Sequence, residues 1–177
     1  MKIVLDQDQL QTGVEEMAKA ITDSYGERPI TIIAIMTGSL VLLADLIRRL
    51  EMPLRIGLIQ ASSYRGGTES GELTVNDEMM LDITGRDVLL IDDIFDTGKT
   101  LSTIVQRMHE MGPTSVRTAV LLRKTGTQVV AFEPDFVAFS IPDEFVVGYG
   151  LDYEDQYRNL PYVAAMEEKD LEVHRSI

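Results

Sequence analysis

The run Ile30–Ile35 is apolar except for Thr31, with Pro29 before it and Gly38 soon after. Side chains in a strand alternate between its two faces, so a run this apolar has no face to offer water. It reads as a strand buried on both sides, as in a parallel sheet covered by helices. Similar runs recur at Leu54–Ala61, Val88–Ile91 and Ser115–Leu122, with shorter ones at Asp135–Ser140 and Phe145–Gly148. Helical spacing fills the intervals. Within residues 9–25, Leu10, Val14, Met17, Ala18 and Ile21 share one face, and Gly26 is a natural stop. Leu40–Leu50 reads as a second helix, with Arg48 and Arg49 suiting its C-terminal dipole. A third runs from about Thr100 to Met111 and stops at Gly112-Pro113. This alternation predicts an α/β fold with a mostly parallel central sheet flanked by helices on both faces. Such sheets bind ligands at the carboxyl ends of their strands. The loops to watch therefore follow Ile35, Ala61, Ile91 and Leu122.

A chain of 177 residues predicts one domain, 1–177, large enough to bury a core without staples. Sixteen basic residues against 29 acidic ones leave a net charge of −13, which disfavours nucleic acid as a partner. The absence of cysteine removes disulfides, thiolate metal sites and cysteine nucleophiles, and fits a reducing, cytoplasmic setting. No charged-then-apolar leader is visible, and no apolar stretch approaches the roughly 20 residues of a membrane span. The expectation is a protein with neither membrane nor nucleic-acid partners.

The most informative segment is Val88-Leu89-Leu90-Ile91-Asp92-Asp93-Ile94-Phe95-Asp96-Thr97-Gly98-Lys99-Thr100. It begins as a buried strand, passes through a polar loop and opens a helix. A helix N-terminus carries unpaired N–H groups and a positive dipole end, so it favours a phosphate. Residues Asp96 to Thr100 would wrap that anion, with Gly98 allowing close backbone approach. Gly98-Lys99-Thr100 is not a nucleotide-triphosphate loop, because that motif needs glycine where Asp93 stands. Two adjacent acids beside a phosphate would repel it, unless they hold sugar hydroxyls or a magnesium ion. An acidic loop that merely caps a helix is the plainer alternative for a lone Asp-Thr-Gly.

One stretch breaks the alternation. Residues 64–78 carry Gly66, Gly67 and Gly71 among polar side chains. They read either as a surface hairpin tip or as a lid that closes over a ligand.

The 13-residue string resembles the phosphoribosyl-pyrophosphate (PRPP) motif of type I phosphoribosyltransferases, and the chain is similar within that group to the hypoxanthine-guanine phosphoribosyltransferases. The resemblance covers about residues 9–167 and rests on several motifs. Met36-Thr37-Gly38-Ser39 matches the family's pyrophosphate-binding turn, which contains a cis peptide. Ser62-Ser63-Tyr64 opens a segment like the family's lid, here about 62–78. Lys124 matches the lysine that reads the purine 6-oxygen. Pro134–Val137 and Ile141–Gly150 resemble the purine-binding hood, which would take in about 134–177 together with N-terminal residues. Asp152 and Arg158 match a metal-side aspartate and a pyrophosphate-binding arginine. Two positions depart from the pattern: the family's turn often has lysine where Thr37 stands, and its acidic pair is often Glu-Asp rather than Asp92-Asp93.

The resemblance implies transfer of 5-phosphoribose from PRPP to N9 of hypoxanthine or guanine, with Mg2+ as cofactor and a homodimer or homotetramer as the assembly. Asp92 and Asp93 would hold the ribose hydroxyls and metal. Asp96, Thr97, Gly98, Lys99 and Thr100 would bind the 5-phosphate, and Asp96 would also exchange a proton with purine N7. Thr37, Gly38 and Arg158 would meet pyrophosphate. Lys124, Phe145 and Val146 would bind the purine, Asp152 would act there and as a second metal ligand, and Ser63 and Tyr64 would belong to the lid.

Read without the family, these residues stay ambiguous. Phe145 lies in an apolar run and would by itself belong in the core. Lys124 beside Arg123 could be surface charge, and Asp152 sits in an acidic cluster of the solvated kind. Two rivals share the fold: a xanthine-preferring phosphoribosyltransferase and a regulatory RNA-binding protein. Aspartate at position 96 and the acidic charge count against the second.

Overall fold

The computed structural model describes residues 1–63, 73–76, 78, 80–167 and 170, with backbone alone at 62, 63, 73 and 74. The elements run in the order β1 (Lys2–Leu5), α1 (Gln7–Tyr25), β2 (Ile30–Met36), α2 (Leu40–Ile47), β3 (Leu54–Ser63), β4 (Leu73–Asn76), β5 (Asp87–Phe95), α3 (Lys99–Glu110), β6 (Ser115–Lys124), β7 (Phe136–Ile141), β8 (Val146–Val147) and β9 (Val163–Ala165).

Six strands form the main sheet in the order β4-β3-β2-β5-β6-β7. All its pairs are parallel except the antiparallel β3–β4 edge. The apolar runs behave as their composition requires. Ile32, Ala34, Leu89, Ile91, Ala119 and Leu121 pack on one face with α1 and α2. Ile33, Ile35, Val88, Leu90 and Val120 pack on the other with Leu101, Ile104 and Met108 of α3. Neighbouring residues thus feed two cores, the packing that a parallel sheet with helices on both faces demands.

Helix boundaries follow local chemistry. Asp6 caps α1, accepting from Gln9 N–H, while the Gln9 side chain accepts from Asp6 N–H in a reciprocal box. The second helix ends at Ile47 rather than Leu50, with Arg48 at its cap.

A small antiparallel sheet, β1-β9-β8, brings the N-terminus beside residues 146–165. The stretch 136–141 joins the main sheet instead, paired in parallel with β6. Asp135 stays out of the strand because its carboxylate accepts from the Thr118 N–H and hydroxyl at 2.8 and 3.0 Å. Tyr64 and most of the glycine-rich segment 64–78 lie outside the described residues, as does the tail after 170. Among the described residues no helix is long and apolar enough to cross a membrane.

Candidate active site

A cavity of about 380 Å³ opens where β2 and β5 end. Its walls come from three loops that are far apart in the chain. The β5–α3 loop supplies Asp92, Asp93, Asp96, Thr97, Gly98 and Thr100; the β2–α2 turn supplies Thr37 and Gly38; the segment after β8 supplies Asp152 and Arg158.

The end of the cavity at the start of α3 is built from backbone. Gly98 occupies the N-cap of α3 with φ +82° and makes no side-chain cap bond. Its left-handed conformation turns the chain sharply into the helix, which opens onto the cavity. The carbonyls just before it are tied off: Asp96 O accepts from Thr127 Oγ1 and Gln128 Nε2, both at 3.1 Å, and Thr97 O accepts from Val129 N–H at 3.1 Å. A helix N-terminus with its adjacent carbonyls held elsewhere favours an anion. Lys99 is exposed and contributes as the first residue of α3 rather than as a wall of the cavity.

The acidic end is strained electrostatically rather than sterically. Asp92 is buried and accepts from Asp93 N–H at 3.0 Å, while Asp93 accepts from Ile94 N–H at 2.8 Å. Burial holds the Asp92 carboxyl well above the usual carboxylate range, and the Asp93 charge adds to the shift. Burial raises Asp93 too, opposed by its hydrogen bonds and by the Arg158 guanidinium. The Met36–Thr37 peptide is cis, at the turn beside this pair.

Arg158 closes the far wall. Its guanidinium donates to Gly150 O at 2.8 Å and pairs with Asp152 at 2.8 Å. The other Asp152 oxygen accepts from Asp155 N–H at 2.9 Å. Asp152 therefore already has partners on both oxygens.

Next to the cavity, the Lys124 amine is buried at the end of β6. It lies 3.5 Å from Asp96 and 2.9 Å from Asp143. The surface-charge reading of Lys124 thus fails, while its neighbour Arg123 does point out, to Glu133 and Ser140. Phe145 corrects the core reading. It is half exposed, with its ring edge-to-face against Tyr153 at 5.6 Å, because β8 begins only at Val146. Val146 is buried and pairs with Ala165. Sequence reasoning missed the Asp143 partner of Lys124 and the Thr127–Gln128 tether behind Asp96. Each lies in a loop whose place depends on strands distant in sequence.

The comparisons with known proteins fit this geometry. Residues 2–154 match the family model described as the phosphoribosyl transferase domain. A hypoxanthine-guanine phosphoribosyltransferase of Staphylococcus epidermidis is 40% identical over 166 residues, 93% of each chain. The chain belongs to the hypoxanthine-guanine phosphoribosyltransferase family. Solved structures of family members superpose closely. A Bacillus anthracis hypoxanthine-guanine phosphoribosyltransferase gives a TM-score of 0.89 at 36% identity, covering 94% of this chain and 99% of that one. A Trypanosoma cruzi hypoxanthine phosphoribosyltransferase in a ternary substrates complex also gives 0.89 at 36% identity, covering 97% of each. The β5–α3 loop and the β2–α2 turn, two of the segments that carry the resemblance in the sequence, open on one cavity here.

Proposed function

We propose that the protein transfers 5-phosphoribose from PRPP to N9 of hypoxanthine or guanine, releasing pyrophosphate and forming IMP or GMP in purine salvage. The observation that carries this reading is the contact of Lys124 with Asp96, which sets a base-reading amine beside the phosphate-binding loop.

In the reaction the anomeric C1′–O bond to pyrophosphate breaks as the C1′–N9 bond forms. C1′ gains cationic character while the leaving group gains negative charge. The α3 N-terminus with the Thr97 and Thr100 hydroxyls binds the 5-phosphate. Arg158 and the Thr37–Gly38 backbone receive the pyrophosphate; Thr37 brings no charge, so the backbone and Arg158 carry that contact. Asp92 and Asp93 orient the ribose hydroxyls and offset the charge at C1′. Asp96 takes the proton from purine N7 as N9 attacks. The Lys124 ammonium donates to the 6-oxo group, and adenine, with a donor there, would leave a mismatched pair. Phe145 lies against the base, and Val146 presents backbone to its edge. Ser63 and Tyr64 belong to the lid in this reading.

Magnesium fits the donor set. Among the described residues no three acidic or histidine side chains gather tightly enough to hold a metal unaided. Mg2+ instead takes one or two carboxylates and completes its shell with phosphate oxygens and water. Asp92 and Asp93 would be that kind of pair, and Asp152 would be the further ligand. When bound, the ion supplies positive charge that offsets the departing polyanion.

A cytoplasmic setting belongs to the same reading, and the cysteine-free sequence fits it. A homodimer or homotetramer belongs to the same reading, as the resemblance to the family implies.

The test is a PRPP-dependent assay with hypoxanthine, guanine, xanthine, adenine and uracil in parallel, with Mg2+ and with EDTA. IMP and GMP should form, adenine and uracil should be inert, and EDTA should abolish turnover. Xanthine as the preferred base would overturn the substrate assignment, and full turnover without metal would overturn the role of magnesium.

A further inference from the structure

Arg158 separates two cavities. It lines the candidate active site and also a second cavity of about 450 Å³ behind it, which Asp45 and Tyr149 line as well. Tyr149 is buried, and its hydroxyl donates to Asp45 Oδ2 at 2.5 Å across 104 positions of sequence. Burial and the adjacent Asp45 carboxylate keep that hydroxyl protonated, so it acts as donor.

The short strap that carries Tyr149 touches both halves of the pyrophosphate end. On one side Tyr149 N–H donates to Leu160 O at 2.9 Å and Gly150 N–H to Arg158 O at 3.0 Å, while the Arg158 guanidinium returns to Gly150 O. On the other side Gly150 presses on the β2–α2 turn. A Cβ at position 150 would lie 2.1 Å from Gly38 O, so no side chain fits there. Asp45 belongs to α2, the helix that this same turn opens. One hydrogen bond therefore closes a loop through the turn, the helix, the strap and Arg158.

We propose that Asp45 and Tyr149 are positioning residues whose hydrogen bond fixes Arg158 against the Thr37–Gly38 turn and so sets affinity for the pyrophosphate end of PRPP. This rests on the reading of Arg158 and that turn as the pyrophosphate contacts. Neither Asp45 nor Tyr149 lines the active-site cavity, and neither is assigned a contact with purine or ribose.

The test measures KM for PRPP and hypoxanthine in the forward direction and for pyrophosphate with IMP in reverse, alongside the urea midpoint. Tyr149→Phe keeps the ring and removes the donor. It should raise KM for PRPP and pyrophosphate about tenfold, the scale of one lost hydrogen bond to a charged group. KM for hypoxanthine should stay within about twofold, since the Lys124 amine is held by Asp96 and Asp143 rather than by the strap. Asp45→Ala should act alike, Asp45→Asn should recover part of the loss by keeping an acceptor, and the Tyr149→Phe/Asp45→Ala pair should be less than additive. Arg158→Gln separates the two levels. If it leaves KM for PRPP and pyrophosphate unchanged, the pyrophosphate assignment itself fails. If it raises them while Tyr149→Phe and Asp45→Ala do not, the positioning role fails and the site stands. A uniform rise in all three KM values that tracks a lowered urea midpoint would make the pair purely structural and overturn the proposal.

Discussion

The carboxylate of Asp93 stands where a side chain at position 38 would have to go. A Cβ built on Gly38 would lie 1.6 Å from Asp93 Oδ2 and 2.4 Å from its Cγ. The acidic pair and the cis turn are thus in direct contact, and glycine at 38 is what permits it. Gly38→Ala should fold, because the obstruction is the end of a side chain. It should nonetheless displace the Asp93 carboxylate and weaken PRPP use by roughly tenfold or more, given about 1–3 kcal/mol for disrupting a buried polar contact. Steady-state KM for PRPP checks this, and an unchanged value would mean Asp93 can serve from elsewhere.

Asp96→Asn should lower turnover by roughly 10²-fold or more, the usual size of a general acid–base contribution. The fold should persist, since the Asp96 tether to Thr127 and Gln128 runs through its backbone carbonyl and Lys124 keeps its closer partner Asp143 at 2.9 Å. Circular dichroism and kcat on the same preparation decide the matter, and an undiminished kcat would remove Asp96 from the proton transfer.

Lys124→Ala should raise KM for hypoxanthine far more than KM for PRPP. The amine stands between Asp96 and Asp143, and its removal takes away the proposed donor to the 6-oxo group. An equal rise in both constants would show that the lysine organises the loop rather than reading the base.

Alkaline stability should depend on Tyr25. Its hydroxyl is buried against Val88 O, and burial pushes its pKa up to about 12, with the nearby Arg117 working against the shift. The unfolded chain releases that proton near pH 10. Tyr25 therefore contributes stability that is fully present below pH 10 and is lost as pH rises through about 12. Tyr149 is shifted in the same direction, so the native protein loses stability from two groups. Urea midpoints between pH 9 and pH 12 should fall less steeply for Tyr25→Phe than for the native chain. Parallel slopes would contradict the assignment.

The string from Val88 to Thr100 shows why so much of the site is legible in the sequence. A buried strand, an acidic loop and a helix start are each set by residues within a few positions of one another, and a helix N-terminus opening on a strand end favours an anion for reasons equally local. The same locality explains the main helices and the central strands, whose boundaries shift by only a few residues. The strands β1, β4 and β9 are not legible, for the converse reason. They are three or four residues long, and a strand of that length is held by its partner across the sheet rather than by its own pattern. Phe145 shows the limit most clearly. Its apolar neighbours point to the core, whereas the start of β8 one residue later leaves its ring half exposed beside Tyr153.

Composition, periodicity and the motif determined the α/β class, the loop that would receive a phosphate, and the acids beside it, because these depend on short-range burial and hydrogen bonding. The tertiary structure decided which distant groups meet there. Parallel register sets Phe95 opposite Arg123 and Lys124 opposite Ile141, which brings the Lys124 amine between Asp96 and Asp143. Chain reversal after β8 carries Arg158 and Tyr149 back to the turn at Gly38 and to Asp45. Contacts such as these follow from how whole elements pack against one another, and no local run of residues encodes them.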